Sequence, residues 1–388
     1  MNAIQIGWFG IAAAAWAFAA ASPARTQDLP RKKLIEYGWD VPYPDFVRDH
    51  IRDMEKRPFD GLIFRLKDEN HAFDPRPWDP AKLQPQFDQL RAIRWSRFTD
   101  NFLTLYAANN WNMDWFDDDQ WRIIVGNLKL TARAAKIGRC VGVCFDPEPY
   151  GPNPWIYKDR FPGRTYPQVV AQVRKRGAQF MAALRSELPN VRLLTFFHLS
   201  LFRDVAREPD PRRREERMSG AGWPADWGLL AAFVNGWLDA STPNVRIIDG
   251  NEMSYYYTSS EEFYRDYHLM KQGVLPLVAP ENRRRFREVV QPGMALYLDR
   301  LLALRDKKDD PIAHGLEPAD RLKWLEHNAY MALLTTEEYV WCYSEKMSWW
   351  ENRVPDGCEE AIRSARRKIE EGKPLDIDLR TVLRKAMP

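Results

Sequence analysis

Residues 139–151 read RCVGVCFDPEPYG. The run from Cys140 to Phe145 is unbroken and mostly apolar, too short for a helix, and stops at Asp146, Pro147 and Glu148. A continuous apolar run of this length suits a strand covered on both faces, as in a parallel sheet under helices. Strand side chains alternate with a period of two. Gly142, Cys144, Asp146 and Glu148 therefore share one face, and Val141, Val143 and Phe145 the other. The bulky set suits the side that packs on helices. The small and acidic set suits the interior of a closed barrel, rising to its mouth.

Outward from this segment the same signature recurs at 34–39, 61–66, 101–106, 192–199, 245–248, 294–298 and 339–343. Between these runs, apolar residues at helical spacing mark 43–56, 118–137, 166–188, 227–238, 260–271 and 317–334, and Ser259 and Ser260 ahead of Glu261 and Glu262 form a helix start. Eight strands alternating with helices or long loops predict an α/β fold, a single (β/α)8 TIM barrel with long strand-to-helix loops. A doubly wound open sheet is the rival, but no glycine-rich phosphate turn follows the first strand. An extra strand at 274–278 would shift the count by one. Residues 67–98, rich in Pro, Asp and Trp, are expected to form a functional loop, with 223–227 and 274–292 as further insertions. Residues 358–388 read as a closing helix and a tail.

Composition narrows the function. The chain has 388 residues, 45% of them hydrophobic, with 16 Trp, 15 Tyr and 19 Phe, which excludes a disordered or collagen-like chain. Its 57 basic and 54 acidic residues leave a net charge of +3, without the basic excess a nucleic-acid grip needs. Runs such as Arg212–Arg214 and Arg283–Arg285 adjoin acids and read as solvated faces. Residues 1–24 carry no charged side chain and end in small residues, the pattern of a signal peptide, with a retained membrane anchor as the alternative. The expected location is secreted or periplasmic, with residues 25–388 as one catalytic domain. Of the four cysteines, Cys140 and Cys144 lie too far apart along a strand to bridge; buried free thiols are expected, with a Cys342–Cys358 bridge as the alternative. The six histidines are scattered, with no zinc spacing, so neither a metal nor a cofactor is expected.

In a barrel enzyme the chemistry sits at the C-terminal ends of the strands. There the sequence places Asp146 and Glu148 after the fourth strand, Glu252 after the sixth and Glu345 after the eighth, as candidate catalytic carboxyls. Two carboxyls as close as Asp146 and Glu148 repel, so one should hold its proton as a general acid does. Trp39 and Asp40 end the first strand, Arg65 the second, and Asp299 the seventh, while His198 lies on the fifth. These, with Trp111, Tyr255, Trp341 and Trp349, are the candidate substrate-binding residues. Acids interleaved with Trp and Tyr suit a sugar, whose C–H faces stack on rings and whose hydroxyls bond carboxylates.

The spelling Gly142-x-x-x-Asp146-x-Glu148 resembles part of the chitinase-type barrel hydrolase motif, Asp-Gly-x-Asp-x-Asp-x-Glu. The resemblance implies that Glu148 protonates the glycosidic oxygen and that Asp146 orients substrate. Val141 and Cys144 stand where the motif has its first two Asp, which weighs against substrate-assisted chemistry on N-acetyl sugars. The pattern also resembles the retaining-glycosidase barrel clan, whose acid/base Glu ends the fourth strand and whose nucleophile Glu ends the seventh. Here the seventh strand offers Asp299, and the better-placed Glu345 follows the eighth. The expectation is an exported glycoside hydrolase using Glu148 and Glu345, with Glu252 in reserve and Asp146 tuning Glu148. A non-catalytic carbohydrate-binding barrel is the alternative. No Gly-x-Ser-x-Gly turn supports a serine hydrolase.

Overall fold

The computed structural model describes residues 31–107 and 112–386. The signal-peptide reading of 1–24 and the candidate Trp111 lie outside the described residues. Lys32–Pro388 forms one compact unit. Among the described residues nine strands form one wholly parallel sheet: β1 (Lys33–Gly38), β2 (Gly61–Phe64), β3 (Phe102–Tyr106), β4 (Gly142–Asp146), β5 (Arg192–Thr195), β6 (Arg246–Asp249), β7 (Val290–Pro292), β8 (Met294–Tyr297) and β9 (Tyr339–Ser344). Their order is β7-β6-β5-β4-β3-β2-β1-β9-β8.

The ends of that order are one piece of chain. β7 pairs with β6, β8 pairs with β9, and only Gly293 separates them. Pro292 has no N–H to donate, which suits a break in the ladder. A side chain at Gly293 would put its Cβ 2.7 Å from Ile248 Cγ2 and 2.9 Å from the Asp249 carbonyl, so only glycine passes here. Residues 290–297 thus act as a single kinked seventh strand that bridges β6 to β9, and the sheet is a nearly closed TIM-type barrel. The seventh strand begins four residues earlier than the apolar run at 294–298 suggests. Residues 275–277 form a 3-10 turn, so 274–278 is not an extra strand.

Two apolar layers follow from the alternation. Ile35, Ile63, Phe102, Cys144, Leu194 and Trp341 cluster inside the barrel. Leu34, Leu62, Val143, Phe145, Leu193 and Val340 pack outward under the helices. The face assignment read from 139–151 therefore holds for Val143, Cys144 and Phe145, whereas Val141 packs against the inner cluster. The outer ring includes helices Pro44–Met54, Asp118–Ile137, Tyr166–Glu187, Leu230–Ala240, Pro318–Thr335 and Cys358–Glu370. Their starts are chemically marked. Asp117 accepts the N–H groups of Asp119 and Gln120 at 2.9 and 3.0 Å, and Ser259 with Glu262 forms a capping box ahead of Ser260–His268.

The segment 67–98 is not all loop. It contains helix Pro80–Ala92, capped by Asp79 and packed through buried Leu83, Phe87 and Leu90. Its pattern is masked by an internal proline, Pro85, and only three regularly spaced apolar residues. All four cysteines are free and buried. Among the described residues no helix is long and apolar enough to cross a membrane.

Candidate active site

At the C-terminal ends of the strands lies a cavity of about 450 Å³. Asp146, Glu148, Glu252 and Glu345 all line it, with Trp39, Arg65, Tyr255 and Trp341. Local chemistry fixes each carboxyl.

Asp146 ends β4, is almost fully buried, and accepts the Glu148 N–H on Oδ1 at 2.9 Å. This turn, stiffened by Pro147 and Pro149, is held from behind by Trp155, whose Nε1 donates to the Pro147 carbonyl at 2.7 Å. Glu148 is thereby aimed into the cavity, where the Tyr150 hydroxyl donates to its Oε2. After β6, Asn251 takes a left-handed backbone (φ 41), one of the few residue types that tolerates it. That turn carries Glu252 over the mouth, with its N–H bonded to the Phe196 carbonyl at 3.2 Å. After β9, the N–H groups of Glu345 and Lys346 donate to the two carboxylate oxygens of Asp299 at 2.6 and 2.8 Å. The Glu345 side chain in turn accepts from the Tyr297 hydroxyl, and from Tyr343 at 3.4 Å.

Burial, followed by the neighbouring Glu148, pushes the Asp146 carboxyl up to about 8. Burial raises Glu148 as well, against the Tyr150 hydrogen bond that favours its charged form. Glu252 stands well above the usual range through burial and then the proximity of Glu148 and Asp146. No Lys, Arg or His among the described residues forms an ion pair with any of the four acids.

The floor is aromatic. Trp341 stacks on Phe196 with centroids 4.0 Å apart, and Tyr255 lies parallel to Tyr343 at 5.8 Å. Tyr37 contacts Phe196 at 4.9 Å. Trp39, Tyr150 and Tyr256 stand exposed at the rim, at 69%, 70% and 47%. Sequence reading missed Tyr37, Tyr106, Phe196, Tyr297 and Arg305 as lining residues. The inner parity of Tyr37 with Ile35, and of Tyr297 with Ala295, was available for two of them. Nothing local marks Arg305.

Four candidates stand elsewhere. His198 is fully buried between the rings of Trp237 and Phe286, 3.4 Å from Asp249, because the chain turns into the 3-10 segment Leu199–Phe202. Asp299 is turned to the backbone of Glu345 and supports the site without lining it. Asp40 accepts the Ser348 hydroxyl at 2.5 Å. Trp349 is buried edge-on against Phe59 and walls a separate hollow of about 350 Å³.

The arrangement supplies proton-holding carboxyls beside one bonded by two hydroxyls, the components of acid/base or nucleophilic catalysis. No protein-family model matches the chain, and no curated protein matches it. Solved structures are similar in backbone. One is an O-GlcNAc hydrolase variant of Thermobaculum terrenum, with 6% identity and TM-score 0.43, covering 92% of this chain and 62% of that one. An exo-beta-1,4-mannosidase from Opitutaceae bacterium strain TAV5 has 14% identity and TM-score 0.45, covering 89% and 60%. A GH18 chitinase from Pseudoalteromonas aurantia has 10% identity and TM-score 0.42, covering 86% and 100%. The chain spans about three fifths of the length of the first two.

Proposed function

We propose that this protein is a glycoside hydrolase acting on a poly- or oligosaccharide. The observation that carries the reading is the convergence of four carboxyls, from the ends of β4, β6 and β9, on one aromatic-walled cavity where, among the described residues, none of them is held in an ion pair. Such a cavity is costly to build and suits a ligand with hydroxyls and apolar faces.

Glu148, raised by burial, is the proton donor to the glycosidic oxygen. Glu345, held by the Tyr297 and Tyr343 hydroxyls, is the second carboxylate, which attacks the anomeric carbon or activates water. Asp146 and Glu252 keep the region acidic around Glu148, and Trp39, Tyr150 and Tyr256 offer flat faces for sugar rings. Export through residues 1–24 belongs to the same reading, since a polysaccharide substrate lies outside the cell; mass spectrometry of the mature N-terminus tests it.

The enzymatic test is release of reducing ends from a panel of oligosaccharides. Glu148→Gln should lower turnover by about 10³-fold or more with an unchanged circular dichroism spectrum. A fully active variant refutes the assignment, and a wild-type chain that binds sugars without cleaving any of them is a binding protein.

A further inference from the structure

Two guanidinium groups face the cavity, and they are held differently. Arg305 lies over the Tyr297 ring at 5.2 Å and 3.8 Å from Asp310, so a carboxylate already answers its charge. Arg65 follows β2 on the inner face that Ile63 shares. Its backbone N–H is tied to the Pro42 carbonyl at 3.2 Å, which fixes where the side chain starts. Nη2 donates to the Tyr43 hydroxyl at 3.0 Å, and the guanidinium carbon sits 5.1 Å from that ring's centroid. Nε is buried and has no hydrogen-bond acceptor.

Among the described residues no Asp or Glu forms an ion pair with Arg65. A carboxylate is nevertheless within reach of this strand end: Asp45 bonds Lys67, two residues on, at 2.8 Å. A buried donor without an acceptor destabilises a folded chain. A guanidinium with free donors is the group best matched to the paired oxygens of a carboxylate or sulfate.

We propose that Arg65 is the anion-binding residue of the cavity, and that the substrate is an acidic oligosaccharide carrying a carboxylate or a sulfate ester on the ring bound there. This rests on the hydrolase reading above. In the sheet, β2 stands two places from β4 and two from β9, midway along the wall between Glu148 and Glu345. An anionic substituent anchored at Arg65 therefore leaves its sugar between the two carboxyls. Their negative charge does not forbid this. Burial and the neighbouring Glu148 push Asp146 up to about 8, and burial with Glu148 and Asp146 raises Glu252 well above its usual range, so the mouth is less negative than its composition.

The test is calorimetric titration of the full chain with oligogalacturonate, oligoglucuronate, sulfated galactan oligosaccharides and the neutral counterpart of each. At least one anionic probe should bind about tenfold more tightly than its neutral counterpart, and the preference should shrink as salt is added. Arg65→Gln should cut that affinity about 30-fold and so reduce the preference for the anionic probe over its neutral counterpart. Arg65→Lys, which keeps the charge without the fork, should recover part of it and guards against a misfolded Gln variant. If neutral sugars are bound and cleaved as well as anionic ones, or Arg65→Gln changes nothing, the anion subsite falls and the hydrolase stands. If the wild-type chain neither binds nor cleaves any sugar, both fall.

Discussion

At the N-terminal pole of the barrel, Lys33 meets Asp100 at 2.8 Å, Tyr339 donates to the other Asp100 oxygen at 2.7 Å, and Arg192 bonds both Tyr339 at 2.7 Å and Glu338 at 3.2 Å. At the C-terminal pole, Asp146, Glu148, Glu252 and Glu345 share a cavity with hydroxyls and rings and no ion-pair partner among the described residues. Both poles bury acids. Burial pushes Asp100 up, but its bonds from Lys33, Thr99 and Tyr339 outweigh that and hold it below the usual range. Burial of Asp146 is opposed only by the Glu148 N–H, which does not outweigh it, and the Glu148 carboxyl adds to the rise. One end of the same sheet spends its charges on holding strands together, and the other leaves Asp146, Glu148 and Glu252 raised by burial, at a cost in stability.

The contrast is broken most severely by Glu345→Gln, expected to lower turnover by about 10³-fold while the melting temperature stays within a degree or so. Retained turnover, measured by reducing-end release, would move the role of second carboxylate to Glu252. At the opposite pole the effects exchange places. Asp100→Ala strands Lys33 and should cost about 3 kcal/mol in a denaturant titration, with kcat of the folded fraction unchanged.

A third test uses pH. The Asp146 carboxyl holds its proton until about 8 when folded, whereas an unfolded chain releases it near 4. The unfolded state therefore gains on the folded one as pH rises between those values. Asp146→Asn should be more stable than the wild type by about 2 kcal/mol near pH 8.5, and the advantage should vanish toward pH 4 in thermal melts. The smallest effect is expected from Tyr150→Phe. Its hydroxyl donates to Glu148 and favours the charged form, so removing it should raise the Glu148 pKa and move the alkaline limb of the activity profile up by about half a unit.

The barrel was legible because strand alternation and two-sided burial are local properties: Cys144 had to face away from Val143 and Phe145, and does. The helix Pro80–Ala92 was not, since Pro85 reads as a breaker until the packing of Leu83, Phe87 and Leu90 is known. Asp146 and Glu148 sit where the chain leaves a strand, and their direction follows from turn chemistry near them in sequence. Asp299 and His198 occupy equally promising positions, yet their directions depend on partners distant in sequence, the Glu345 amide and the rings of Trp237 and Phe286. Arg65 could be named from its place after β2, but its lack of an acidic partner is visible only in three dimensions.

The pairing of β1 with β9 sets Lys33 beside Tyr339 and Gly38 beside Ser344. During synthesis the first strand therefore waits for almost the whole chain before its second edge is covered, and the kinked piece around Gly293 cannot join β6 to β9 sooner. Contacts this remote make closure a late and slow event, and the nascent chain carries a bare edge on which chaperones and aggregation compete.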